Sequence, residues 1–134
     1  MKYIMCARAF PVFHPRAGQP TFFRDSILNG TKIHTLRNRA GNKKTGEIVS
    51  LREWSDLPYR SKQVEFAQCA ITVNRLTIDE EQTAKCAIHT LAFSDGFPDT
   101  QDFRHWFTKG RDEPIVFDGV RIHFLDVVPK GDQQ

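Results

Sequence analysis

Apolar positions recur along this chain at two different periods, and the switches between them mark out the elements. Lys2 to Phe10 is an apolar run broken only by Arg8 and reads as a first strand. Pro11 to Pro20, with three prolines and a glycine, reads as a loop. Thr21 is placed to cap a short helix through Leu28, with Phe22, Phe23, Ile27 and Leu28 apolar at helical spacing. Asn29-Gly30 is a stop, because glycine adopts the left-handed conformation that ends a helix. Ile33 to Arg37 alternates as a short strand would, and Asn38 to Gly46 is a polar loop. Glu47 to Trp54 returns as a strand, and Leu57 to Ser61 turns around Pro58. Val64 to Ile78 is rich in β-branched residues and reads as one strand or as two joined by a bend.

Thr83 to Thr90 fits either a short strand or a helical turn, and Ser94 to Pro98 is a turn. Thr100 is the expected cap of a helix through Thr108, with Phe103, Trp106 and Phe107 on one face. Ile115–Phe117 and Val120–Val128 are then expected to pair as a hairpin across Asp118-Gly119. Five to seven strands with two or three short helices, and no βαβ rhythm, predict an α+β fold built on a small mixed β-barrel.

The length of 134 residues suits a single domain over 1–134, and 40% hydrophobic with 26% charged residues is ordinary for a globular chain. Eleven Phe against two Trp and two Tyr favour an aromatic, dry core, which a purely disordered chain would lack. No stretch approaches the roughly 18 apolar residues of a membrane span, so no membrane partner is expected. The opening residues read as a strand and not as a signal peptide. Cys6, Cys69 and Cys86 are an odd number without a CxxC pair, which suits free thiols in a reducing cytoplasm.

Net charge is only +3, but it is unevenly spread. From Lys32 to Lys62 there are eight basic and three acidic residues, a local +5, whereas the remainder sums to −2. Such an excess is the footprint of a surface that meets phosphates, although a solvated loop can carry the same charge. Arg37, Arg39, Lys43, Lys44, Arg52, Arg60 and Lys62 are interleaved with Trp54 and Tyr59. An exposed aromatic can stack an unpaired base while the cations follow the backbone, which makes RNA the partner to expect. Tyr59, beside Pro58 in a loop, suits stacking better than Trp54, whose place at a strand end also suits the core.

The most informative stretch is Ile27 to Arg37, ILNGTKIHTLR, which holds Gly30-x-Lys32-x-x-Thr35-x-Arg37 directly after a helix. A second landmark is Leu91 to Phe107, LAFSDGFPDTQDFRHWF, an acidic-Gly-Phe turn followed by a helix with an aromatic end. Together, and in this order, they resemble the ASCH family of the PUA-like superfamily over about residues 20–128. The resemblance implies a small β-barrel with an RNA- or nucleotide-binding groove at its mouth. It also implies a second activity. Small amidohydrolases of this family remove the acetyl group of N4-acetylcytidine with a lysine, a threonine and a carboxylate. Carried over by position, these are Lys32, Thr35 and Asp102, with Asp95 as the alternative acid. Two departures stand out: the Pro-rich leader around His14-Pro15-Arg16, and an inserted basic segment over Ser50–Lys62.

Read from the residues, Ile33, Thr35 and Arg37 face one way on a strand, and Lys32, His34 and Leu36 the other. An amine at the strand start, where the chain still turns, can bend toward Thr35, and partly withdrawn from water it can act as a base toward that hydroxyl. Each residue also has a plainer role: Lys32 as a donor to helix carbonyls, Thr35 as a strand former, Arg37 in an ion pair with Asp95 or Asp102. His34, between apolar neighbours, reads as a buried, hydrogen-bonded histidine. The other histidines are scattered without metal-ligand spacing, and no phosphate-binding glycine loop occurs, so neither metal nor nucleotide cofactor is expected.

Overall fold

The computed structural model describes residues 1–133. It is an α+β fold with five strands and three α-helices among those residues. In chain order they are β1 (Tyr3–Met5), α1 (Phe23–Leu28), β2 (His34–Arg37), β3 (Ile48–Trp54), β4 (Gln63–Asp79), α2 (Lys85–Ser94), α3 (Thr100–Phe107) and β5 (Val116–Pro129). The strands form one mixed sheet in the order β1-β3-β4-β5-β2. Only β1 and β3 run parallel; the other ladders are antiparallel. No helix among the described residues is long and apolar enough to cross a membrane.

The sheet is not closed into a barrel by backbone pairing: β1 and β2 are its two edges. It bends far enough, however, to bring those edges within reach of one side chain. Arg37 Nη2 on β2 donates to the Met5 carbonyl of β1 at 2.6 Å. That bond satisfies an acceptor on an otherwise open strand edge. It also leaves a gap between the edges, and the gap is where the candidate site lies.

Four elements differ from the sequence reading. The first strand stops at Met5, because Ala7–Phe10 bonds to the returning loop instead: Thr21 N donates to Arg8 O and Phe10 N to Gln19 O, both 2.9 Å. The expected final hairpin does not form. Asp118 and Gly119 sit inside one continuous strand, opposite Thr77 and Leu76 of β4. Gly119 lacks the positive φ that a two-residue hairpin turn of this kind requires. Its role is close approach, since a Cβ there would lie 2.3 Å from the Arg37 carbonyl oxygen. The ambiguous segment after Gln82 becomes helix α2, and α3 is capped by Asp99, whose carboxylate accepts from Gln101 N at 2.8 Å, one residue before the expected Thr100.

Val64–Ile78 lies in a single long strand, with a register shift between Gln68 and Ala70 supplying the bend. Two apolar clusters result. One lies along the sheet, with Val49, Leu51, Ile71 and Ile122 against Ile27 of α1. The other joins the helices, with Phe23, Ile88, Phe97 and Phe103 at its centre. The site lies beside both, since Cys6 of the first cluster and Phe23 and Phe97 of the second line it.

Candidate functional site

Lys32 is set by the stop signal that precedes it. Gly30 takes φ +86°, and the Thr31 and Lys32 amides both return to the Ser26 carbonyl at 3.0 Å. The chain therefore turns sharply and delivers Lys32 inward, where its side chain is 4% exposed. Its ammonium donates to the Asp95 carbonyl oxygen at 2.5 Å and to Asp95 Oδ1 at 3.0 Å. It also lies 4.5 Å from the centre of the Phe23 ring, a cation–π contact. Asp95 follows the last residue of α2, and Gly96 beside it takes φ +92°. A Cβ at Gly96 would sit 2.9 Å from Lys32 Cδ and 3.0 Å from the Phe23 ring, so only glycine lets the turn close over the lysine stem.

Thr35 and Arg37 share the other side of β2, as alternation expects: Arg37 Nε donates to Thr35 Oγ1 at 3.2 Å. Lys32 precedes the strand and so escapes the alternation. It lines the same cavity as Thr35 and Arg37, a space of about 140 Å³ that Asp95 also borders. Phe23, Phe97, Trp106 and Phe107 supply the apolar wall, and Met5 and Cys6 close the β1 side. Among the described residues no hydrogen bond joins Lys32 to Thr35; what they share is the cavity.

His34 is buried and hydrogen-bonded, as expected, with Nε2 2.8 Å from Ser94 Oγ and Nδ1 3.5 Å from Asp95 Oδ1. Burial pushes the Cys6 thiol up, against the smaller pull of the Arg37 and Lys32 charges, and Cys69 is pushed up to about 12 by burial. Neither sulfur is poised as a thiolate.

The two candidate acids separate cleanly. Asp95 is the carboxylate on Lys32. Asp102, the first choice from the sequence, does not line the cavity: its Oδ2 accepts from Arg16 Nη1 at 2.7 Å, and its carbonyl lies 2.9 Å from His14 Nε2. The Pro-rich leader is thus fastened to α3 through Asp102. Sequence spacing did not reveal this, because Arg16 and Asp102 are 86 residues apart. Likewise the apolar face of α3 was legible, but not that Trp106 and Phe107 would wall a cavity.

The basic residues divide into two groups. Arg37, Arg39 and Lys43, with Lys2, line a larger groove of about 1030 Å³ between β1 and the loop after β2. Its one carboxylate, Glu47, is 2.6 Å from Lys2, whose hydrogen bond holds it below the usual carboxylate range. Met5 and Arg37, joined by their hydrogen bond, line both spaces. Lys44 is exposed on the same loop but does not line the groove. Arg52, Tyr59, Arg60 and Lys62 lie on the Ser50–Lys62 segment. Arg52 is occupied by Ser50 Oγ, Gln63 Oε1 and the Tyr3 ring. Tyr59 is 89% exposed at φ +61°, with its ring 5.1 Å from that of Trp54. No cluster of three metal-ligating side chains occurs among the described residues. Compared with protein-family models, with curated proteins and with solved structures, the chain matches none.

Proposed function

We propose that this chain is an ASCH-type, PUA-like domain that binds RNA or a modified nucleotide, with a base in the small cavity and phosphates along the basic groove. The observation that carries this reading is the position of Arg37, which lines both a polar-and-aromatic cavity and a cationic groove. At about 140 Å³ the cavity is on the scale that takes one planar ring. Lys32 and Arg37 offer donors, Asp95 an acceptor and Thr35 both, against an aromatic wall suited to stacking. The bent sheet, whose edges meet at Arg37, also suits a barrel-like fold whose mouth is the site.

The test is fluorescence anisotropy of single-stranded RNA across a salt series. Three phosphates held by Arg37, Arg39 and Lys43 would give a slope of log affinity against log salt of about −2. Binding that ignores salt would argue against the groove.

A second reading is favoured by the way Asp95 holds Lys32 in the cavity that Thr35 lines. In it the chain hydrolyses an N4-acetylcytidine-type nucleoside. Thr35 Oγ attacks the acetyl carbonyl while Lys32 takes the hydroxyl proton. The exocyclic amine leaves with that proton, and water then hydrolyses the acetyl ester to acetate. Arg37 donates to Thr35 Oγ1, so the threonine's own proton is free for the base. Release of cytidine by the native chain but not by Lys32→Ala or Thr35→Ala supports this reading; an inactive native chain on nucleoside and RNA substrates removes it.

A further inference from the structure

The Pro-rich leader between β1 and α1 is a closed loop whose side-chain tethers to α3 end on one residue. Its base is tied by Phe10 N to Gln19 O at 2.9 Å and by Gly18 N to Phe10 O at 3.0 Å. Its interior is tied by His14 N to Pro11 O and Ala17 N to His14 O, so it is a compact loop with its ends together. Two of its side chains reach Asp102. His14 Nδ1 accepts from the Arg16 amide at 3.0 Å, so the ring hydrogen sits on Nε2, which donates to the Asp102 carbonyl at 2.9 Å. Both of those partners are backbone groups with a fixed role. Arg16 Nη1 donates to Asp102 Oδ2 at 2.7 Å, and the Asp102 side chain is 10% exposed, so this charge-assisted bond is sheltered on its acidic side.

The clasp acts on a set of rings. The Arg16 guanidinium lies 4.9 Å from the centre of the Phe10 ring, and the His14 ring 4.4 Å from it. Phe10 does not line the cavity, but it packs against two rings that do: Trp106 at 6.0 Å, edge-on, and Phe97 at 6.5 Å. Trp106 in turn meets Phe23 at 5.5 Å and Phe97 at 5.4 Å. Asp102 and Trp106 are four residues apart on α3 and so share a helix face. Beyond the helix, a Cβ at Gly110 would lie 2.0 Å from the Phe13 carbonyl oxygen, so the leader is seated closely against the turn that follows α3.

We infer that Asp102 is a positioning residue of the cavity: by clasping His14 and Arg16 it holds Phe10 behind Trp106 and Phe97, and so keeps the aromatic wall in place. This rests on the reading of that cavity as the ligand site. The residue that the sequence offered as an acid thus serves the site from outside it. Rings held by packing alone can slide past one another, whereas a satisfied set of donors and acceptors selects one arrangement. With the clasp released the leader loses its hold on α3, Trp106 loses its backing, and the cavity loosens toward Cys6, which lines it. A ligand ring would then bind less tightly, because binding would have to order the wall first.

The experiment measures how fast Cys6 reacts with a thiol reagent in the full native chain, followed by mass spectrometry, with Cys69 as the internal reference. Both thiols are buried, but Cys6 lines the cavity and Cys69 does not. Arg16→Gln removes the charged half of the clasp at a side chain that is 43% exposed, which burdens the fold little. It should raise the Cys6 rate about tenfold, the scale of one lost charge-assisted hydrogen bond, and leave Cys69 unmoved. Asp102→Asn should act in the same direction. Arg16→Lys, which keeps a charge on Asp102, should return Cys6 most of the way to its native rate, and a lysine variant as reactive as the glutamine one counts against the clasp. Cys6 and Cys69 rising together would mean general loosening and would overturn the inference, as would a Cys6 rate that Arg16→Gln leaves unchanged. No ligand is needed, so the clasp can fail while RNA binding stands, and the reverse.

Discussion

Asp95→Asn removes the one anion that both buried bases face, and its cost can be set against that of Lys32→Met. With Asp95 neutral, a lysine whose side chain is 4% exposed loses its counter-charge. Breaking a buried pair in this way costs about 3–5 kcal/mol, because the remaining charge can neither be solvated nor paired. Lys32→Met should cost less. The methionine can follow the lysine stem over Phe23, and the His34 ring still stands 3.5 Å from Asp95 Oδ1. What is lost is the donor to the Asp95 carbonyl and to Oδ1, about 1–3 kcal/mol. For a chain of this length each kcal/mol moves the melting temperature by roughly 3–5 °C, so Asp95→Asn should melt about 10–20 °C low. Urea unfolding with an unchanged slope, alongside calorimetry, reads the difference. If Asp95→Asn lies within about 1 kcal/mol of the native chain, or if Lys32→Met is the more damaging of the two, then the Asp95 carboxylate is not what holds the site together.

Other perturbations probe separate parts of the account. Gly96→Ala forces φ +92° on a residue with a Cβ that meets Lys32 and Phe23, so it should cost about 1–3 kcal/mol in the same unfolding assay and weaken RNA binding; full stability would refute the close packing of that turn. A thiol reagent should label only Cys86 in the native chain and all three cysteines after denaturation, since Cys6 and Cys69 are buried; fast labelling of Cys6 would mean that the cavity floor opens. Glu80 is held below its ordinary value near 4.5, first by its hydrogen bond from Arg104. Its folded value is thus lower than its unfolded one, so it adds stability at neutral pH that is lost as pH falls below about 4.5. Glu80→Gln should flatten the acid limb of stability against pH, and an unchanged limb would place that sensitivity elsewhere.

Local chemistry made most elements legible before any coordinates. The Asn29-Gly30 stop, the β2 alternation and the apolar face of α3 all follow from spacing and cap residues, and all three shape the site. Two misreadings share a cause in packing over long range. Asp118-Gly119 carries a hairpin signal, yet β4 extends to Asp79 and offers a partner for every residue of β5 from Val116 to Val120, so the ladder wins over the turn. On paper Asp102 is the first-choice acid and Asp95 the alternative. The choice between them was made by Arg16, contributed by a leader in which no regular structure was legible, which claims Asp102 and leaves Asp95 to the lysine. The α+β fold with one mixed sheet is as expected, whereas backbone pairing does not close that sheet into a barrel. A three-residue β1 and a four-residue β2 leave the two edges unpaired, and the resulting gap carries the cavity and the groove.

In the proposed function one ligand occupies both spaces at once, its ring among Lys32, Thr35 and Trp106 and its phosphates beside Arg39 and Lys43. Amide and side-chain NMR shifts mapped during titration with a short single-stranded oligoribonucleotide test it most directly. Both sets of resonances should move together along one binding curve, and Arg37→Met should uncouple or abolish the shifts. Shifts confined to the exposed segment around Tyr59 and Arg60, or no shifts at Lys32 and Thr35 at saturation, would contradict it.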